Sequence, residues 1–119
     1  MKKTLVFGAS PNINRFSNRA VELLKEYGHE VVAFGNKKAL INNVQIDNTR
    51  LEYIDIDTIT MYLSSANQTQ YYDYILSLNP KRIIFNPGSE NNELIKMAKS
   101  KNIEVVEDCT LVMLNCGSY

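Results

Sequence analysis

The chain has 119 residues, of which 45% are hydrophobic, and its 13 basic residues balance its 13 acidic ones. This length suits one domain over residues 1–119 with its own core, and the balanced charge argues against a nucleic-acid partner with a broad basic contact surface. No apolar run approaches the ~20 residues that cross a bilayer, so we predict no membrane partner.

The first predicted unit, residues 4–18, is a short apolar strand, a tight loop and the start of a helix. A loop of this kind leaves backbone N–H groups free, and the helix dipole adds positive potential there, which suits a phosphate. Gly8 allows the turn, and Ala9, Ser10, Arg15 and Ser17 complete the candidate set. The three-glycine dinucleotide fingerprint is incomplete, because no glycine follows Gly8 before Gly28.

The remaining chain alternates between apolar runs and helical patterns. Further core strands are predicted at residues 30–34, 58–63, 82–85 and 104–106, with a short extra strand left open at 44–46. Helices are predicted at residues 67–78, at 91–101 and after Asp108, which is a candidate N-cap. Apolar strands of this kind indicate a parallel sheet covered on both faces. The sequence therefore predicts an α/β, Rossmann-like, doubly wound sheet of five strands in the order 3-2-1-4-5.

Ligands of such sheets bind at the carboxyl ends of the strands. An NAD site places an acid near the end of the second strand, but Asn36, Lys37 and Lys38 stand there instead. Two cations suit a phosphorylated ribose, as in NADP or coenzyme A, although solvated loop lysines would give the same pattern. Tyr62, near the end of the third strand, either stacks on a base or belongs to the core.

The fourth strand ends at Asn86, Pro87 and Gly88, which either line the ligand or form a plain turn.

His29 precedes a strand and is expected at the opposite edge. Neither a zinc-ligand pattern, a nucleophile elbow nor a Walker loop is present, so no catalytic or metal-binding residue is predicted. Cys109 and Cys116 lie roughly 10 Å apart in a predicted helix, beyond disulfide reach, which predicts reduced thiols and a cytoplasmic location.

The chain resembles the small stand-alone CoA-binding domain proteins, which are similar to the nucleotide-binding domain that begins the succinyl-CoA synthetase α subunit. The resemblance covers nearly the whole chain and is carried by residues 7–11, 17–18, 57–60, 85–91 and 109–114. It implies that the pyrophosphate lies at Gly8, Ala9, Ser10, Arg15 and Ser17, the adenosine phosphate near Asn36, Lys37 and Lys38, and the pantetheine arm along Asn86, Pro87 and Gly88. The phosphate-carrying histidine and ATP-grasp machinery of that synthetase lie outside this domain, so ligase activity is not expected.

The leading hypothesis is a module that binds coenzyme A or an acyl-CoA at the carboxyl edge without catalysis of its own. The alternative is an NAD(P)-binding protein or redox sensor, with NADP as the cofactor. Two further readings stay open: an enzyme that uses Cys109 or Glu90 on a thioester, and a scaffold that serves assembly as a homodimer.

Overall fold

A computed structural model describes all residues, 1–119. Its strands are β1 (Thr4–Phe7), β2 (Val31–Phe34), β3 (Ala39–Ile41), β4 (Val44–Asp47), β5 (Thr58–Met61), β6 (Arg82–Phe85) and β7 (Glu104–Glu107). Its helices are α1 (Phe16–Glu26), α2 (Ser65–Gln68), α3 (Tyr72–Ser77), α4 (Asn92–Ser100) and α5 (Thr110–Cys116), with a 3₁₀ turn at Thr69–Tyr71. None of the helices combines the length and the apolar composition that a bilayer-crossing helix needs.

The strands form one sheet in the order β3-β4-β2-β1-β5-β6-β7. Every neighbouring pair is parallel except β3 and β4, which are antiparallel. The α/β, Rossmann-like class is confirmed, whereas the predicted five strands and the order 3-2-1-4-5 are wrong. The place beside β2 is taken by β4, so the strand at Thr58–Met61 lies on the other side of β1.

The extra strands arise from a hairpin whose turn is Asn42-Asn43. Both asparagines have positive φ, 46° and 68°. Asparagine tolerates this left-handed backbone, and a two-residue turn of that kind matches the twist of the flanking strands. The hairpin therefore follows from local chemistry, although its sequence pattern is weaker than an Asn-Gly turn.

Helix boundaries also differ from expectation. The predicted helix at 67–78 is interrupted at Tyr71, whose φ of −109° and ψ of 3° are not helical, so that α2 and α3 are separate. The last helix has Cys109 as its N-cap instead of Asp108, and the Asp108 carboxylate accepts a hydrogen bond from the Cys109 N–H at 2.7 Å.

The core lies on both faces of the sheet, as expected for buried parallel strands. Successive residues of β1 point to opposite faces, with Leu5 and Phe7 packing in one apolar cluster and Val6 in another. Helices α3 and α4 cover the first cluster, and α1 and α5 contribute to the second. This arrangement leaves the loops that follow the strands free to line the carboxyl edge.

Candidate functional site

A cleft of about 720 Å³ lies at the carboxyl edge, between the loops that follow β1, β2, β5 and β6. Its walls are Gly8, Ala9, Ser10, Pro11, Asn12, Arg15, Phe16, Ser17, Asn36, Lys37, Tyr62, Leu63, Ser64, Asn67, Pro87 and Gly88. All the residues predicted from the sequence line it except Lys38 and Asn86. The chain thus brings residues from four separate loops to one place.

The floor of the cleft is the turn after β1. Gly8 has φ 97°, and the N–H groups of Gly8 and Ala9 both donate to the Phe34 carbonyl, at 2.8 and 2.9 Å. A Cβ at Gly35 would overlap the Ala9 carbonyl oxygen, so only glycine permits this close approach. Because both amides have a protein partner, neither is a free donor at the floor of the cleft.

Those donors lie at the start of α1. Arg15 is the N-cap, its side chain forms no capping hydrogen bond, and the first turn contains no acidic residue. The Phe16 and Ser17 N–H groups have no partner in the protein. The buried Asn18 amide donates to the Ser10 carbonyl at 3.0 Å and thereby fixes the loop on the helix. Free amides, the helix dipole and an arginine therefore converge on one wall, which suits an anion.

The loop after β2 forms a second cationic wall. Asn36 and Lys37 are exposed and line the cleft, whereas Lys38 is exposed but lies outside it. The structure contains one salt bridge, between Lys3 and Glu30 at 3.6 Å, so neither Arg15 nor Lys37 has an acidic partner. Their charges are available to a ligand.

Tyr62 presents its ring to the cleft and packs against the apolar cluster on the α1 face. Its hydroxyl is buried without a hydrogen-bond partner, and this burial raises the pKa of Tyr62. The hydroxyl therefore stays protonated and faces away from bulk water. Tyr62 therefore offers a ligand no accessible hydroxyl.

The loop after β6 contributes Pro87 and Gly88, and Gly88 has φ 93°. Asn86 plays a different part, since its side chain is buried. Its amide donates to Thr60 Oγ1 at 2.7 Å and to the Met61 carbonyl at 2.9 Å, and its oxygen accepts the Thr110 N–H at 2.8 Å. Because both hydrogens of its side-chain amide are donated within the protein, Asn86 holds the loop and the start of α5 in place and does not line the cleft.

Sequence reasoning missed several lining residues: Pro11, Asn12, Phe16, Leu63, Ser64 and Asn67. Phe16 was hidden in a helical pattern, yet its side chain is 64% exposed. Ser64 could have been found, because it directly follows a strand whose carboxyl end was already expected at this edge. Asn67 was predicted as the first residue of the helix at 67–78, and nothing in that pattern marked its side chain as part of the cleft.

Two of the groups considered for catalysis lie elsewhere or have a protein partner. His29 lies at the amino edge, where its Nδ1 accepts the Lys2 N–H at 2.9 Å. The Glu90 carboxylate accepts the Gly88 N–H at 2.9 Å. Cys109 is half-buried, Cys116 is exposed, and both thiols are free. No three His, Cys, Asp or Glu side chains are grouped to hold a metal ion.

Comparison with known proteins gives one family and several solved folds. Residues 2–115 match the family model described as a CoA binding domain. A search of curated proteins found no match. A crystal structure of an uncharacterized protein is 48% identical, with a TM-score of 0.98, and the match covers 100% of this chain and 98% of that one.

More distant structures share the fold. A hypothetical protein from Pyrococcus horikoshii OT3 is 21% identical, with a TM-score of 0.87 over 97% of this chain and 82% of that one. A Thermus thermophilus protein is 19% identical, with a TM-score of 0.85 over 99% and 90%. At these identities the likeness is one of architecture.

Proposed function

Because the chain belongs to the CoA binding domain family, we propose that it binds coenzyme A or an acyl-CoA in the carboxyl-edge cleft, without catalysis of its own. A small-molecule ligand of this class is a polyanion with an adenosine at one end and a thiol-bearing arm at the other. The proposal includes a cytoplasmic protein, in keeping with its two free cysteines.

The observation that carries the proposal is the uncapped start of α1. An arginine at the N-cap provides no acceptor for the first-turn N–H groups, and its charge opposes the helix dipole. This arrangement costs stability in the free protein. An anion bound there would accept hydrogen bonds from the free N–H groups and pair with Arg15.

The proposed ligand runs across the cleft from α1 toward two other loops. The pyrophosphate lies against Ser10, Arg15 and Ser17, above the turn at Gly8 and Ala9. Asn36 and Lys37 face the phosphate on the ribose, and the ring of Tyr62 supports the middle of the ligand. Pro87 and Gly88 border the pantetheine arm, while Asn86 holds their loop in place.

Calorimetric titration with CoA, dephospho-CoA, NADP and NAD tests the proposal. We expect CoA to bind more tightly than dephospho-CoA, because only CoA offers Lys37 a ribose phosphate. Lys37→Ala should reduce that preference about fivefold, the value of an exposed ion pair of ~1 kcal/mol. Lys38→Ala is the matched control and should change nothing, because Lys38 lies outside the cleft. Absent or millimolar CoA binding by the natural chain would overturn the proposal.

NADP is the second candidate, and one observation favours it. The end of β2 has no acid to hold free ribose hydroxyls, and Asn36 and Lys37 would suit a phosphorylated ribose in either cofactor. Energy transfer from tyrosine to bound NADPH would identify this alternative. Tighter binding of NADP than of CoA in the same titration would replace the first proposal with an NADP-binding protein or redox sensor.

A further inference from the structure

The cleft wall formed by the β5–α2 loop, Leu63 to Asn67, is held by a buried amide. Gln68 is fully buried, and its Nε2 donates to the Leu63 carbonyl at 2.8 Å and to the Ser89 carbonyl at 2.7 Å. Its Oε1 accepts from Asn91 Nδ2 at 2.9 Å. One side chain therefore ties the β5–α2 loop to the loop that follows β6.

Asn91 extends this network and completes its hydrogen bonds. Its Nδ2 also donates to the Tyr72 hydroxyl at 2.9 Å, and its Oδ1 accepts the Leu94 N–H at 3.1 Å as the cap of α4. Every side-chain hydrogen of both amides has an acceptor inside the protein. A satisfied buried network of this kind fixes geometry, because any displacement leaves buried polar groups unpaired.

The two polar residues that this wall presents to the cleft have no such partners. Ser64 and Asn67 are exposed and line the cleft, and the Ser64 hydroxyl does not cap α2. The Asn67 side chain forms no hydrogen bond to another protein group, although the next residue, Gln68, forms three. The Asn67 carboxamide, which has no hydrogen-bond partner, thus lies next to the Gln68 carboxamide, whose hydrogen bonds are all made within the protein. Asn67 lies on the cleft wall opposite the β2 loop.

We propose that Asn67 recognises the amide-bearing pantetheine arm of the ligand and that Gln68 is the residue that positions it. This rests on the proposed binding of CoA. A carboxamide offers both a donor and an acceptor, which matches the secondary amides of that arm, whereas the phosphates only accept hydrogen bonds and are matched better by a cation. Pro87 and Gly88, across the Gln68 bridge, border the same end of the cleft.

The test compares CoA with its 3′-phospho-ADP fragment, which lacks the arm. Asn67→Ala should weaken CoA binding about fivefold, as expected for one net hydrogen bond of ~1 kcal/mol. The fragment should bind with unchanged affinity. Asn36→Ala, an exposed amide on the opposite wall, is the control and should affect CoA and the fragment equally.

Gln68→Met tests the positioning role, and it should also lose CoA affinity while retaining fragment affinity. Ile103→Ala, a core truncation away from the cleft, controls for destabilisation and should leave both affinities unchanged if it folds. If Gln68→Met does not fold, Asn67→Ala and Gln68→Asn, which keeps the carboxamide but shortens its reach, still decide the question. Equal losses for CoA and the fragment, or none, would overturn the inference while CoA binding stands. Failure of the natural chain to bind CoA would overturn both proposals.

Discussion

The two edges of the sheet use similar side chains in opposite ways. At the amino edge, the guanidinium of the buried Arg82 lies 4.5 Å from the Tyr119 ring centroid and donates to the Tyr119 carbonyl and to Thr58 Oγ1, each at 3.0 Å. Lys2 Nζ donates to the same carbonyl, and the Lys2 N–H donates to His29. Arg82 and Lys2 thus both donate to groups of the chain itself, although the Arg82 Nη2 atom is buried without a partner.

At the carboxyl edge, the corresponding groups have no partner. Arg15 and Lys37 lack acidic partners, the Phe16 and Ser17 amides lack acceptors, and the Asn67 side chain forms no hydrogen bond to protein. Residue type does not separate the edges, since both contain arginine, lysine and polar side chains. Whether a polar group is satisfied within the fold is what separates a structural residue from a candidate binding residue.

The largest effect should come from the close approach beneath the cleft. Gly35→Ala puts a methyl group against the Ala9 carbonyl, so we expect a loss of about 3 kcal/mol in the free energy of unfolding, with weakened CoA binding. Urea denaturation measures it. Gly28→Ala is the control, because its Cβ would meet nothing within 4 Å. Only the left-handed backbone at this position would lower the free energy of unfolding, by about 1–2 kcal/mol. Equal losses at the two positions would contradict the steric argument.

Removing the aromatic ring at the amino edge should affect stability alone. Tyr119→Ala eliminates the ring contacts with Arg82 and His29 and the hydroxyl bond to Thr4, but keeps the carbonyl that accepts from Arg82, and should cost about 2 kcal/mol. CoA affinity should not change, because the edge faces away from the cleft. Tyr119→Phe, which loses only the hydroxyl, should cost about 1 kcal/mol. Any loss of CoA affinity in Tyr119→Ala would show that the edges are coupled.

Arg15→Ser should raise the stability of the protein and lower its affinity for CoA. Serine is a good N-cap and arginine is not, so the free energy of unfolding should rise by about 1 kcal/mol. CoA affinity should fall about tenfold, because a charge-assisted contact to the pyrophosphate is lost. Arg19→Ser, on the next turn and outside the cleft, is the control for removal of a cation from α1. A rise in both quantities would exclude Arg15 from the site.

The smallest effect concerns His29 and pH. Burial lowers the pKa of His29, and the cations of the Met1 amino group, Lys2 and Arg82 lower it further against the opposing Asp57. The folded chain therefore binds fewer protons than the unfolded one, so stability is fully present above about pH 6.5 and decreases as the pH falls through that value. Urea denaturation between about pH 5 and pH 7 should show this slope, and His29→Gln should remove it. An unchanged slope would assign the dependence to other groups.

Much of the fold followed from apolar runs and their spacing. Buried strands such as Leu5–Phe7 and Arg82–Phe85 are recognisable as short apolar runs. Because polar and apolar residues do not alternate in these runs, parallel pairing could be predicted. The order of the strands did not follow, because it depends on which segment occupies the place beside β2. Val44–Asp47 is short and has the weak turn Asn42-Asn43 before it, so the stronger run at Thr58 was given its place.

The candidate site was predictable to the level of loops but not of side chains. The rule that ligands meet the carboxyl ends of parallel strands located Gly8, Lys37 and Gly88 correctly at one cleft. It could not distinguish Lys37 from Lys38, since which neighbour faces a cleft depends on the path of the loop. It also could not show that Asn86 has its hydrogen bonds inside the protein, because its partners Thr60 and Thr110 are distant in sequence.

The paired amides of Gly8 and Ala9 on a single carbonyl have a consequence for kinetics. These two hydrogen bonds hold the end of β1 against the end of β2 in the free protein. This part of the cleft therefore needs no rearrangement when a ligand binds. We expect association to be governed by diffusion and charge rather than by the closing of a lid. The identity of the Phe34 side chain matters little for this; the position of its backbone oxygen sets the shape that an incoming molecule meets.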